Sequence, residues 1–192
     1  MNIVAFSGSA RKESYNQQAV TFIAQELQEL GHEVQLLAMA DFVLPLFNQD
    51  VEASDGMPEI VASLREQFAQ AEAFVIATPE YNGSFTSVLK NALDWCSRPA
   101  PNGNSDSVYR DKPVALVSAS PGRMGGMRSL YQTRYLVENL GMVGFPGMHG
   151  IGGCDAETFK DRASFAETRD GKALRKLASD YNGFMKKFAI AD

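Results

Sequence analysis

Directly after the apolar run Ile3–Phe6, the chain reads Ser7-Gly8-Ser9-Ala10-Arg11-Lys12-Glu13-Ser14-Tyr15-Asn16. Ser14 stands where a helix opens, with Gln17 completing a capping box. Val20, Ile23, Leu27 and Leu30 then recur at helical spacing, and Gly31 ends the element. A strand running into a helix N-terminus offers free backbone N–H groups and the positive end of the helix dipole. Ser9, Ser14 and Asn16 add neutral donors, and Arg11 adds a planar cation suited to phosphate oxygens. The chemistry these types can do together is to hold a phosphate. The plainer alternative is a turn in which Ser14 is an ordinary cap and Arg11 is solvated. The loop lacks the Gly-Lys-Ser/Thr ending of a Walker A sequence. It also lacks the partner glycines of a dinucleotide fingerprint. A cysteine-based phosphatase loop has no support, because Cys96 follows a helical pattern. Nor do acidic residues follow the first strand, as a phospho-accepting receiver would need.

A second loop, Thr78-Pro79-Glu80-Tyr81-Asn82-Gly83-Ser84, leaves another apolar run, Phe74–Ala77, and enters a helix. Tyr81 offers a flat face, while Asn82 and Gly83 offer exposed backbone donors. A flat ring with polar edges, such as a flavin, needs both. The alternative is a turn whose Pro, Asn and Gly only reverse the chain. A third loop, Ser118–Gly126, follows Val114–Val117 and allows close backbone approach through its glycines. Ser118 and Ser120 could meet a ring's pyrimidine edge there. For Arg123, ligand contact and simple solvation stand equally. His149 reads as structural and His32 as a helix C-terminal cap. No His, Cys and carboxylate residues fall at metal-ligand spacing, so no metal is expected. No Ser-His-Asp arrangement is supported.

These loops need strands and helices to present them. Val34–Leu37 reads as a second strand and Val143–Ile151 as a fifth, weakened by Pro146. Pro58 suits a first helical turn, followed by Ile60, Leu64, Phe68 and Ala71. Val88, Leu89, Ala92 and Trp95 mark a third helix, and Leu130, Leu136 and Leu140 a fourth. Leu174, Leu177, Tyr181, Phe184 and Phe188 mark the last. Strands apolar throughout are buried on both faces, which means parallel pairing with crossover helices. The expected fold class is α/β: a doubly wound five-stranded parallel sheet with helices on both faces, as one domain over residues 1–192. Ligands in such sheets bind at the carboxyl ends of the strands, where the order reverses. Ser97–Asp111, rich in Pro, Asn, Gly and Ser, reads as a surface loop, with reach across a dimer one option.

The chain has 192 residues, 45% hydrophobic and 21% charged, enough for a full core. A net charge of −5 argues against nucleic acid and against an anionic membrane surface as partners. No segment is long enough to span a bilayer. The start shows no signal-peptide pattern, and Cys96 and Cys154 show no pairing pattern. Both read as inert packing thiols, and the expected compartment is the cytoplasm.

Two of these segments resemble a known family. Gly8-Ser9-Ala10-Arg11-Lys12-Glu13-Ser14-Tyr15-Asn16 is similar to the GSxRxxSxN loop of the NADPH-dependent FMN reductases. Pro79-Glu80-Tyr81-Asn82-Gly83-Ser84, followed by Leu89-Lys90-Asn91-Ala92-Leu93-Asp94-Trp95, is similar to their PEYNGS…LKNAxDW segment. The resemblance runs through Leu44–Asn48 and Lys112–Val114 to about Gly153. It implies a flavodoxin-like fold and FMN as cofactor, with NADPH or NADH as hydride donor. Ser9, Arg11, Ser14, Tyr15 and Asn16 would hold the FMN phosphate. Pro79, Glu80, Tyr81, Asn82 and Gly83 would line the isoalloxazine ring. Phe85-Thr86-Ser87 departs from the family, whose members usually carry Pro and a small residue there, and is expected to loosen the adjoining turn. The implied activity is FMN-dependent NAD(P)H oxidation by a ping-pong scheme, with a small-molecule acceptor such as a quinone. The flavin carries the chemistry, so no catalytic side chain is named. A flavodoxin-type electron carrier and a non-catalytic NAD(P)H-sensing protein are the alternatives. The family also implies a homodimer or homotetramer, paired through the helix Val88–Trp95.

Overall fold

Alternate residues of the first strand face opposite ways: Ile3 and Ala5 join one buried cluster, Val4 and Phe6 another. That two-sided burial organises the whole structure. The computed structural model of the chain describes residues 1–188, so the last four residues of the expected 1–192 domain lie outside it. Five strands, β1 (Asn2–Ser7), β2 (Glu33–Leu37), β3 (Ala73–Ala77), β4 (Pro113–Ala119) and β5 (Val143–Ile151), form one sheet in the order β2-β1-β3-β4-β5. Every pairing is parallel, with Phe6 opposite Leu37 and Ile76, and Val117 opposite Ala77 and His149. This is the flavodoxin-like doubly wound order. Its reversal lies between β1 and β3, so the loops after those two strands flank the ligand position.

The helices are α1 (Tyr15–Glu29), α2 (Gln49–Asp55), α3 (Glu59–Gln70), α4 (Ser87–Cys96), α5 (Met127–Asn139), α6 (Arg162–Glu167) and α7 (Arg169–Met185). Side chains of α1, α6 and α7 fill one face of the sheet, and those of α3, α4 and α5 the other. Two of these helices have no counterpart in the sequence reading. No residue of α2 is buried, so it carries no apolar period. The six-residue α6 is too short to show one. Pro58 is the N-cap of α3, not its first helical residue. Pro146 lies in the register irregularity of β5, where Val114 faces Gly144 but Leu116 faces Met148. Arg134 donates to the freed carbonyls of Gly144 (3.0 Å) and Phe145 (2.7 Å) along that edge.

Several expectations about single residues change. Trp95 is buried: its Nε1 donates to Pro45 O at 2.8 Å, and its ring meets Phe47 edge-on. It therefore holds the 42–47 segment and presents no surface for pairing. His32 caps α1 through its backbone N–H, which donates to Leu27 O at 3.2 Å, while its ring Nε2 lies 3.0 Å from Asn182 Oδ1 on α7. Part of the 97–111 loop turns inward, with Val108 and Tyr109 buried. Arg65 gathers that loop by donating to Arg98 O (2.7 Å) and Asp106 O (2.9 Å). Cys96 and Cys154 are free and buried, and burial pushes the Cys96 thiol up to about 12. Among the described residues no helix is long and apolar enough to cross a membrane.

Candidate cofactor site

The loop after β1 is fastened at its base. Gly8 N donates to Ala77 O at 2.9 Å, tying the end of β1 to the end of β3. Gly8 O accepts from Thr86 Oγ1 at 2.5 Å. A Cβ on Gly8 would sit 2.7 Å from that of Leu89, so only glycine allows α4 this close. Thr86 also caps α4, accepting from Leu89 N at 3.1 Å. The departure at Phe85-Thr86-Ser87 thus tightens the turn: the buried hydroxyl of Thr86 joins the first loop to the helix after the second.

Above that base, the side chains divide into fasteners and free groups. Ser14 is the N-cap of α1 and accepts from Gln17 N at 3.3 Å. The reciprocal half of the capping box is missing: Gln17 Oε1 has no partner among the described residues, and its Nε2 donates to Leu37 O (3.3 Å). Ser9 accepts from Arg11 N at 3.3 Å. Both hydroxyls keep a proton to donate. Asn16 is a fastener. Its Nδ2 donates to Ala119 O (2.8 Å) and its Oδ1 accepts from Ala119 N (2.9 Å), a two-point lock onto the end of β4. Only the backbone N–H of Asn16, with that of Tyr15, remains at the helix start. Arg11 is exposed and makes no ion pair among the described residues. Ser7 Oγ, buried at the end of β1, has no partner among the described residues.

The second loop is built the opposite way. Tyr81 and Ser84 exchange backbone hydrogen bonds of 2.9 and 3.0 Å around Asn82 (φ 52°) and Gly83 (φ 81°). Two central residues with positive φ make a type I′ turn, for which Asn-Gly is the favoured pair. The turn leaves the N–H groups of Asn82 and Gly83 free. Tyr81 is 52% exposed beside them. Glu80 turns away: its carboxylate accepts from Arg128 N (3.1 Å) and Ser129 N (3.4 Å) and pairs with the Arg128 guanidinium, capping α5. Pro79 O accepts from Ser129 Oγ at 2.9 Å. Thr78 donates in turn to Ser129 (2.7 Å) and Thr133 to Thr78 (2.9 Å), so each buried hydroxyl donates once.

The third loop is knit to itself. Ser118 is fully buried and its hydroxyl donates to Gly125 O, so it is not brought to the site. Ser120 accepts from Gly122 N at 3.1 Å and keeps its proton. Arg123 is exposed. His149 meets Asp170 on α7 at 2.9 Å, a strand-to-helix tie.

The structure therefore brings Ser9, Arg11, Ser14, Tyr15, Tyr81, Asn82, Gly83 and Ser120 to the carboxyl ends of β1, β3 and β4. It uses the side chains of Asn16, Glu80 and Ser118 as fasteners. Sequence reasoning missed Thr86, Ser129, Thr133 and Gln132, the last of which contacts Gly83 and Ser84. Ser129 and Thr133, four apart, form a hydroxyl pair on one helix face that could have been noticed. Nothing marked Gln132. Beside the first loop, a groove of about 310 Å³ is lined by Ala10, Leu44, Leu46 and Val88 among others. Val43 and Leu46 stand 86% and 81% exposed at its edge.

Known proteins resemble this chain in sequence and in fold. The model of the family described as NADPH-dependent FMN reductase matches residues 1–153. An NAD(P)H-dependent FMN reductase of Pseudomonas aeruginosa is 41% identical over 135 residues, covering 70% of this chain and 68% of the relative. A quinone reductase of Pseudomonas putida is 33% identical over 189 residues, covering 98% of this chain and 92% of the relative. The match to a plant relative, an NAD(P)H:quinone oxidoreductase of Solanum tuberosum, spans 66% of that protein. Among solved structures, the flavoenzyme FerB of Paracoccus denitrificans, an NAD(P)H:(acceptor) oxidoreductase, superimposes with a TM-score of 0.78 at 29% identity, covering 97% of both chains. A flavodoxin variant from Pseudomonas aeruginosa, covering 93% of this chain and 97% of its own, shares the fold at a TM-score of 0.56 and 16% identity. With the family model spanning residues 1–153 and the motif loops placed where the fold needs them, the chain belongs to the NADPH-dependent FMN reductase family.

Proposed function

We propose that this protein is an NAD(P)H-dependent reductase that holds FMN between its first and second loops and delivers reducing equivalents to quinone-type acceptors. The observation that carries the reading is one of placement. A helix N-terminus ringed by hydroxyls and a type I′ turn with two free N–H groups stand on either side of the sheet's reversal point. The residues present fit the group. Ser9, Arg11, Ser14 and the N–H groups of Tyr15 and Asn16 suit its phosphate. Ser7 Oγ, at the end of β1 directly before that loop, adds a buried hydroxyl with no partner among the described residues. Tyr81 and the N–H groups of Asn82 and Gly83 suit a flat ring with polar edges, and Ser120 offers a further donor.

Bound there, FMN supplies the two-electron chemistry between a nicotinamide and an acceptor. The chain's own groups bind and orient. The second loop would cover one side of the ring, leaving one open side for donor and acceptor in turn, and that shared space would require a ping-pong order. The free N–H donors favour negative charge at the ring edge they face. A homo-oligomer belongs to this reading as well. With Trp95 buried, it rests on exposed apolar side chains such as Val43, Leu46, Tyr131 and Tyr135.

The test is to titrate the apo chain with FMN and riboflavin, then follow NADPH and NADH oxidation at several quinone concentrations. Tighter binding of FMN than of riboflavin, parallel double-reciprocal lines and, by light scattering, a mass of two or more chains are expected. Equal affinity for the two flavins would refute the phosphate assignment. Negligible NAD(P)H oxidation with stepwise one-electron reduction would make the protein an electron carrier.

A further inference from the structure

Gln132 lies on the exposed face of α5 and belongs to neither motif loop. Its Nε2 donates to Gly83 O at 2.7 Å, and its Oε1 accepts from Ser84 Oγ at 2.5 Å. One side chain thus grips the Asn82-Gly83 turn by two adjacent residues. The consequence is particular to the peptide group joining Gly83 and Ser84. Its N–H is bonded to Tyr81 O (3.0 Å) and its C=O to Gln132, so both ends of that plane are fixed. The backbone N–H groups of Asn82 and Gly83 and the carbonyl of Asn82 are what the turn has left to offer.

A four-residue turn at the surface, closed by two backbone bonds alone, samples other turn types through rotation of its peptide planes. Gly83 gives little resistance to such rotation. The grip from α5 supplies what the turn lacks. Glu80 and the Thr78–Ser129–Thr133 hydroxyls anchor the incoming strand to α5, but they act before Tyr81. Gln132 alone, among the described residues, bonds through its side chain to the distal half of the turn.

We infer that Gln132 is a positioning residue for the cofactor ring: it holds the Asn82 and Gly83 donors in one orientation by pinning the Gly83 carbonyl and the Ser84 hydroxyl. This rests on the reading of the turn as the ring's support. It goes further by assigning that support's rigidity to a residue outside both motif loops.

Two variants separate the parts. Gln132→Leu removes both bonds. Gln132→Glu retains an acceptor for Ser84 Oγ and loses the donor to Gly83 O, placing a carboxylate against that carbonyl. Four readouts are taken. Amide exchange of Ser84 in the apo chain should quicken about three- to tenfold in both variants, the range one hydrogen bond supports. The FMN dissociation constant should rise by a similar factor, and the FMN midpoint potential should become more negative. Melting of the apo chain should stay within about 2 °C, because Gln132 is exposed. If the wild-type chain binds no FMN, the functional reading fails, while apo-chain exchange still judges the grip. If it binds FMN and both variants match it in exchange, affinity and potential, the inference is overturned. It is equally overturned if the variants lower melting and leave Ser84 exchange unchanged, since Gln132 would then be merely structural.

Discussion

The loop after β1 and the turn after β3 leave neighbouring parallel strands at the same end of the sheet and are made rigid by opposite means. In the first, backbone contacts and a distant hydroxyl hold the base: Gly8 is bonded to Ala77 and to Thr86. The side chains above it, Ser9, Arg11 and Ser14, remain able to act. In the second, side chains do the holding: Glu80 caps α5, and Gln132 grips Gly83 and Ser84. There the backbone is left free to act. A motif therefore does not say which of its side chains meet a ligand. In the first loop Ser9, Arg11 and Ser14 can; in the second, Glu80 and Ser84 are spent on α5 and cannot. Asn16 and Glu80 both stand inside motifs and both are fasteners.

The strongest way to break this comparison is at the lock between the first loop and β4. Asn16→Ala leaves the N–H and C=O of Ala119 without their partner in a buried place. Each orphaned group costs roughly 1–3 kcal/mol, so a destabilisation of about 2–6 kcal/mol is expected. For a chain of this size that lowers melting by about 4–24 °C. Melting measured on the apo chain checks it. An unchanged apo stability would show that Asn16 is a ligand and not a lock.

Glu80→Ala is the matching test on the second turn, with a smaller effect because Arg128 is exposed. Loss of a cap at the start of α5 costs about 1–2 kcal/mol, with little added by the surface ion pair. Denaturant titration reads the stability. Glu80→Gln should recover part of it, since an amide oxygen still accepts from the helix. Equal loss in both variants would mean that charge matters and the cap geometry does not.

Much of this was legible in the sequence, for physical reasons that differ by element. The apolar runs of β1, β3 and β4 have no other home than a sheet buried on both faces, and the loops at their ends follow from that. Ser14 was legible because capping is local: the acceptor lies three residues from its donor. The division into fasteners and free groups was not legible. The partners of Asn16, Glu80 and Thr86 lie 103, 48 and 78 residues away, distances that no local pattern encodes. Gln17 illustrates the limit within a single motif. Its spacing announces a capping box, yet its Nε2 is drawn to Leu37 O on β2, 20 residues away, and its Oε1 has no partner among the described residues. Trp95 shows the same limit for surfaces, because its Pro45 partner comes from a segment without regular structure. The helix α2, with no buried face, left no period to read.

The smallest effect on the fold is expected at Arg11, and that is what makes it the sharpest test of the first loop. Its side chain is exposed and makes no ion pair among the described residues, so Arg11→Ala removes nothing that the apo chain uses. Apo melting should move by less than about 1 °C. FMN binding should not be so indifferent. A charge-assisted hydrogen bond contributes about 1.5–3 kcal/mol when shielded, less when water competes. The dissociation constant should therefore rise roughly tenfold. Arg11→Lys keeps the charge and loses the planar fork, so it should recover only part of the loss. Raising salt should weaken wild-type binding more than that of Arg11→Ala, because the variant has lost a cation that screening acts upon. Riboflavin, which lacks the phosphate, should bind all three proteins alike. If Arg11→Ala weakened FMN and riboflavin equally, Arg11 would be shaping the loop, and the contrast between a loop held by its backbone and a turn held by its side chains would fall.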